Sequence, residues 1–227
     1  MQEKIKDNLI KINNKISKAK SGNNSSKEVL LIAVSKKKSI EHINAAFNEG
    51  IRNFGENYAQ ELEDKFLRFE NYDITWHFIG PIQSNKIKLI TKCSSWVHGL
   101  YREKVILKLN EECKKINKTM NGLIQINVSQ EISKNGCSPD EMFKVAEIFE
   151  KCTNVKLKGI MALPKLSSDL QESKKVMQGV YELSQILQSK YPTAKEISLG
   201  TTADFDLAIE SGSTMIRIGE SIFGIRK

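Results

Sequence analysis

Glu28-Val29-Leu30-Leu31-Ile32-Ala33-Val34 is an apolar run entered from one acidic residue and closed by Ser35-Lys36-Lys37-Lys38. A run so short and so rich in aliphatic residues reads as a strand buried on both faces. Past it, Ile40, Ile43, Ala46 and Phe47 recur at helical spacing, and Ser39 with Glu41 marks the helix start. Strand then helix is the unit, and the chain repeats it. Seven further runs follow at Arg52–Phe54, Thr75–Ile79, Ser95–His98, Leu123–Val128, Leu157–Leu163, Glu196–Leu199 and Met215–Ile218. Between them lie other helical stripes: Val105, Leu109 and Cys113; Met142, Val145, Ala146 and Phe149; Val176, Val180, Leu183 and Leu187. Ser138-Pro139-Asp140-Glu141 and Ser168-Asp169 carry the residue types that open helices.

Strands that alternate with helices pair in parallel through right-handed crossovers, and a parallel sheet has to be covered on both faces. Eight such units, with no Gly/Ser-rich linker, predict one α/β domain over residues 1–227, a single (β/α)8 TIM barrel. The rival is an open doubly wound sheet. It would want a glycine-rich first turn, and the chain has no GxGxxG. The N-terminal segment, with Ile5, Leu9, Ile12 and Ile16 on one face, is then an extra helix lying on the barrel.

Composition narrows the function classes. The 227 residues are 40% hydrophobic and 27% charged, which excludes a disordered or fibrous protein. The longest apolar stretches are about a third of a membrane span, so no transmembrane helix is expected. Residues 1–20 mix Glu3 and Asp7 with lysines, which argues against a secretory signal and for a cytoplasmic chain. Cys93, Cys113, Cys137 and Cys152 form no CxxC pair, and with three histidines there is no zinc-type spacing, so no metal is expected. A net charge of +8 and a pI near 9.2 suit anionic ligands. The lysines alternate with Asp and Glu along the whole chain and form no aromatic-plus-basic box, which argues against nucleic acid.

A barrel builds its chemistry at the carboxyl ends of its strands. The first strand ends at Lys36, which by alternation shares a side with Val34, Ile32 and Leu30 while Ser35 points the other way. A lysine there either snorkels to the rim or is placed for use. The last strand ends in Arg217-Ile218-Gly219-Glu220, and the seventh in Ser198-Leu199-Gly200-Thr201-Thr202-Ala203-Asp204. The loops after strands seven and eight are the usual phosphate cradle of such barrels. Asn57 follows strand two, while His77 lies within strand three and reads alone as a core group. Asn127, Met161 and Pro164 belong to strands five and six, with Met161 simplest as packing.

Read together, these stretches resemble the pyridoxal-phosphate homeostasis proteins, the YggS-like or PROSC-like family. The stretches are AVSK at 33–36, FGENYAQE at 54–61, WHFIGPIQSNK at 76–86, VSQEISKNG at 128–136, GIMALP at 159–164, SLGTTADF at 198–205 and GSTMIRIGESIFG at 212–224. The resemblance implies a fold-type III barrel like the N-terminal domain of alanine racemase. It further implies pyridoxal 5'-phosphate (PLP) held as a Schiff base on Lys36, with Arg217 facing the pyridine nitrogen. Gly219 and the backbone of Glu220, with Ser198 and Thr202, match the phosphate set; Asn57, His77 and Met161 match residues near the ring. Three positions depart from the family pattern. Thr201-Thr202 stand where Met-Ser is usual, Leu199 where methionine is common, and Glu220 where threonine is usual. Glu220 would repel a phosphate dianion unless turned to solvent.

The resemblance implies a carrier, active in vitamin B6 and amino-acid homeostasis, with no catalytic residue assigned. An arginine at the ring nitrogen disfavours the pyridinium form that best stabilises a carbanion. Racemases with that arrangement add a second, β-rich domain bearing a tyrosine base, and only nine residues follow strand eight here. The alternatives are a weakly active PLP-dependent racemase and a lysine Schiff-base aldolase. Other B6 vitamers and, transiently, PLP-dependent apo-enzymes are the partners such a carrier would have, and a monomer is expected.

Overall fold

Eight parallel strands close into a barrel in chain order, each pairing with the next and the eighth returning to the first. The computed structural model describes residues 1–22, 28–129, 135–165, 167 and 169–224. The strands are β1 (Leu30–Val34), β2 (Asn53–Glu56), β3 (Thr75–Phe78), β4 (Trp96–Leu100), β5 (Met120–Ile126), β6 (Val155–Ala162), β7 (Glu196–Thr201) and β8 (Met215–Ile218). The helices are α1 (Gln2–Gly22), α2 (Ile40–Asn48), α3 (Ala59–Arg68), α4 (Ile87–Cys93), α5 (Glu103–Lys115), α6 (Met142–Glu150), α7 (Leu170–Lys190), α8 (Phe205–Glu210) and α9 (Glu220–Phe223). All eight apolar runs are strands, and the (β/α)8 barrel is the fold.

The expected extra helix is α1. Its stripe buries Ile5, Leu9 and Ile12, and it packs on α8, α2 and α9. Ser138 caps its turn through a reciprocal bond pattern with Glu141, and Asp169 accepts from the Gln171 amide at the start of α7. Ser39 occupies the N-cap of α2 without capping it, because its hydroxyl goes to His42 Nδ1 at 2.9 Å. Within the quoted stretch 128–136, residues 130–134 lie outside the described residues, as do Ser168 and residues 225–227.

Two apolar layers hold the barrel. The larger lies between strands and helices and takes outward residues such as Ala33, Phe54, Phe78, Val97 and Leu199. The smaller fills the barrel itself with Ile32, Leu123, Met161 and Met215, joined by Leu30 and Trp96. Those residues come from β1, β4, β5, β6 and β8. The inward positions of β2, β3 and β7 are instead polar: Asn53, His77 and Ser198. A barrel of this strand number is a packed core and not a pore, so polar groups inside it must satisfy one another.

Candidate functional site

The lysine at the end of β1 sits in a tightly held turn. Lys38 N–H donates to Ser35 O at 2.9 Å, so Lys36 and Lys37 are the two central residues of the turn. Lys37 adopts φ +59°, a left-handed conformation costing a non-glycine residue about 1 kcal/mol. Its N–H donates to Glu61 Oε1 at 2.5 Å. Ser35 is fully buried and fully used. Its N–H donates to Gly55 O at 3.0 Å, its hydroxyl to Glu56 Oε1 at 2.6 Å, and its carbonyl accepts from Lys65 Nζ at 2.7 Å. Lys65 also pairs with Glu56 at 2.7 Å and Glu61 at 2.6 Å. Burial pushes the Glu56 carboxyl up to about 7 against the pull of Lys65, and its Oε2 has no partner. Glu56, Glu61 and Lys65 were not singled out from the sequence. The signal was the Glu61/Lys65 pair at i,i+4 immediately after FGEN.

The register then brings the last strand against this turn. Ile32 lies opposite Arg217 and Ala33 opposite Ile218, and a Cβ on Gly219 would stand 3.1 Å from Val34 O. Gly219 therefore permits the turn after β8 to close on the strand that ends in Lys36. Past it, α9 begins, and the N–H groups of Glu220 and Ser221 have no intrahelical acceptor. Glu220 is exposed, turned to solvent as its charge requires, and lines a flank cleft of about 1100 Å³ under α1. Lys4, Lys11, Lys15 and Lys37 also line that cleft; Lys36 and Arg217 do not.

On β7, Asp204 Oδ1 accepts from both the amide and the hydroxyl of Thr201, at 2.6 and 2.9 Å. Thr202 is half-buried, and its hydroxyl is in no hydrogen bond among the described residues. Ser198, expected in the phosphate set, is placed differently. Because β7 continues to Thr201, Ser198 lies within the strand and points into the barrel, where Arg217 NH1 and His98 Nδ1 occupy its hydroxyl. His77, expected near the ring, is likewise fully buried with both nitrogens engaged, by His98 Nε2 at 3.0 Å and Asn53 Oδ1 at 3.0 Å. The bland sequence reading, a satisfied core histidine, describes its geometry. Met161 is 1% exposed in the inner apolar cluster. Asn57 stays at the strand end, against Gly80, whose added Cβ would fall on the Asn57 carbonyl oxygen, and its own Oδ1 is buried without a partner.

Arg217 is the cation of the site. It is 5% exposed, and among the described residues no carboxylate lies within salt-bridge distance of it. NH2 donates to Ala162 O at 3.0 Å and NH1 to Ser198. Burial lowers its pKa to about 10, which leaves it charged at neutral pH.

A parallel eight-stranded barrel with an amine at the end of β1 and a buried cation at the end of β8 defines a class. Residues 5–227 match the family model described as alanine racemase, N-terminal domain. An alanine racemase from Clostridium difficile shares the fold at TM-score 0.74 and 15% identity, over 99% of this chain and 57% of that one. Pyridoxal phosphate homeostasis proteins are much closer in sequence. That of Vibrio cholerae is 42% identical over 202 residues, covering 87% of this chain and 86% of the relative. That of Escherichia coli is 38% identical over 226 residues, covering 98% and 97%. The chain belongs to the family of pyridoxal phosphate homeostasis proteins. The structure of PipY from Synechococcus elongatus with PLP bound superposes at TM-score 0.85 and 25% identity, covering 97% of this chain and all of PipY.

Proposed function

We propose that residues 1–227 act as one barrel that holds PLP reversibly and covalently at Lys36, as a carrier in B6 and amino-acid homeostasis. The observation that carries this is the β1–β8 register, which packs the Gly219 turn on the carbonyl two residues before Lys36. The donor set fits the group. A buried guanidinium with three N–H vectors uncommitted among the described residues, and no carboxylate there within salt-bridge distance, wants a lone-pair acceptor, and the orphaned Asn57 Oδ1 wants a donor. PLP supplies an electrophilic aldehyde, a basic ring nitrogen and a phosphate dianion. Lys36 offers the amine. Thr202 and the Glu220 and Ser221 amides offer donors to the phosphate, and Glu220 keeps its carboxylate in solvent. Arg217 faces the ring nitrogen as a cation and keeps it unprotonated, which favours storage over carbanion chemistry.

The names of the relatives support the carrier reading over an enzyme. Its setting is the cytoplasm, as a monomer, with apo-enzymes as transient partners. Titration of the protein with PLP, followed by visible absorbance and borohydride trapping, tests it. Lys36→Ala should take up no trappable PLP, Thr202→Ala should bind about tenfold more weakly, and Glu220→Thr should bind equally or better. Racemisation of L-alanine above the rate of free PLP would overturn the carrier reading.

A further inference from the structure

Five strands contribute to a single hydrogen-bonded series that crosses the barrel interior. Arg217 (β8) donates to Ser198 (β7); Ser198 Oγ and His98 Nδ1 (β4) are 2.9 Å apart; His98 Nε2 and His77 Nδ1 (β3) are 3.0 Å apart; His77 Nε2 and Asn53 Oδ1 (β2) are 3.0 Å apart. His77, His98 and Ser198 have no solvent exposure. Trp96 stacks on His77 at 5.7 Å and 16° and tilts against His98 at 6.2 Å.

The direction of every bond follows from one end. A guanidinium only donates, so the Ser198 oxygen accepts from Arg217. The hydroxyl proton then has one described acceptor, His98 Nδ1. With Nδ1 accepting, His98 carries its proton on Nε2 and donates to His77 Nδ1. His77 in turn carries its proton on Nε2 and donates to Asn53 Oδ1. Reversing the order would leave the Ser198 proton without an acceptor in a closed interior, which costs on the order of 1–3 kcal/mol. Burial agrees with this assignment: it pushes His77 down to about 3 and His98 well below the usual histidine range, so both rings are neutral. The series therefore holds one charge, at the Arg217 end.

We propose that Ser198, His98 and His77 are positioning residues that lock the Arg217 guanidinium in place as a donor-only cation, through a one-way hydrogen-bond series running from β8 to β2. This rests on the reading of Arg217 as the group facing the PLP ring nitrogen. It assigns Ser198 to the arginine and not to the phosphate. The series uses NH1, and Ala162 O uses NH2, which fixes the plane of the guanidinium from two sides.

The first test needs no cofactor. Long-range proton–nitrogen NMR of the PLP-free protein should show His77 and His98 as neutral rings protonated on Nε2 at neutral pH. A ring protonated on Nδ1, or an imidazolium, overturns the proposal. The second test reads PLP. Ser198→Ala removes one hydroxyl and should keep the fold and the borohydride-trapped PLP on Lys36. It should nevertheless weaken uptake about tenfold and shift the absorbance maximum of bound PLP. Ser198→Thr, which restores the hydroxyl, should recover both. His98→Leu should repeat the Ser198→Ala spectrum, and His98→Gln, with one acceptor and one donor, should stay nearer the unaltered protein. A Ser198→Ala protein that loses only thermal stability, with affinity and spectrum unchanged, shows packing alone and overturns the proposal. If the unaltered protein takes up no PLP, the carrier reading fails while the NMR result stands.

Discussion

The turn that carries Lys36 is held by hydrogen bonds of the residues on either side of it. Ser35 has no polar atom left to give, and Lys37 is kept in a left-handed conformation by Glu61. The weak point of that arrangement is Glu56, whose Oε2 is buried without a partner. Its carboxyl titrates near 7 in the folded chain against an ordinary 4.5, so between those values the folded chain holds a proton the unfolded chain has released. That stability is fully present below about pH 4.5 and is lost as pH rises through 7, amounting to roughly 1–3 kcal/mol. Glu56→Gln keeps a neutral group that can still bond Ser35, while Lys65 keeps Glu61. Urea denaturation should therefore show the unaltered protein weakening between about pH 5 and about pH 8 and the variant nearly flat over the same range. Equal slopes in the two proteins would count against a buried proton on Glu56. This support was not legible in the sequence. The Glu61/Lys65 spacing marks a pair, but only the fold shows that Lys65 sits on the buried stripe of its helix at 4% exposure. The ends of β1 and β8 were legible to within two residues, because strand ends depend on local order: β1 closes at Val34, which puts Lys36 in the turn beyond it, and β8 closes at Ile218, before Gly219. The inward bonding of Ser198 and His77 was not, because their partners lie on other strands.

At the scale of elements, the eight runs sufficed for the barrel because each strand is a short run rich in apolar residues, with its outward face packed in the larger core. Where that signal thins, the reading slips. β5 begins at Met120, three residues before the expected Leu123, since Asn121-Gly122 reads as a turn. Gly122 is there for space: a Cβ would lie 2.7 Å from Leu100 Cδ1 and 2.9 Å from Phe149 Cε1. The register of β5 against β6 also shifts between Gly122 and Leu123. Gly159 in β6 is tighter, with φ +149° and an added Cβ falling on the Glu196 carbonyl oxygen of β7. α3 was missed for a similar reason, as its buried stripe is Ala59, Leu62 and Lys65, with a cation in an apolar position. These glycines predict a graded series. Gly159→Ala should cost roughly 2–4 kcal/mol, because backbone must move. Gly122→Ala should cost roughly 1–2 kcal/mol, because Leu100 and Phe149 side chains can yield. Gly179→Ala in α7, where a Cβ meets nothing within 4 Å, should gain about 0.5–1 kcal/mol. Denaturant midpoints that fail to follow that order would show that close approach is not what selects glycine in β5 and β6.

For the whole molecule, closure of the barrel makes the site a property of all eight strands. The turn that carries Lys36 follows the first strand and Arg217 lies near the end of the last, and the β1–β8 seam pairs those two strands. A ligand that joins the Lys36 turn to the Gly219 and Thr202 loops therefore bridges that seam and ties the two ends of the chain. Binding to the folded state alone should stabilise it by about 2.7 kcal/mol at a PLP concentration a hundredfold above the dissociation constant. For a domain of this size that gain should raise the thermal midpoint by about 5–10 °C. One barrel acting as a single unit should also melt in one transition, with near- and far-ultraviolet circular dichroism changing together. Lys36→Ala should melt in the same single transition near the PLP-free midpoint and lose most of the shift, because its seam is intact and only the covalent tie is gone. Two separated transitions would refute the single unit, and an undiminished shift in Lys36→Ala would place the tie elsewhere than on β1.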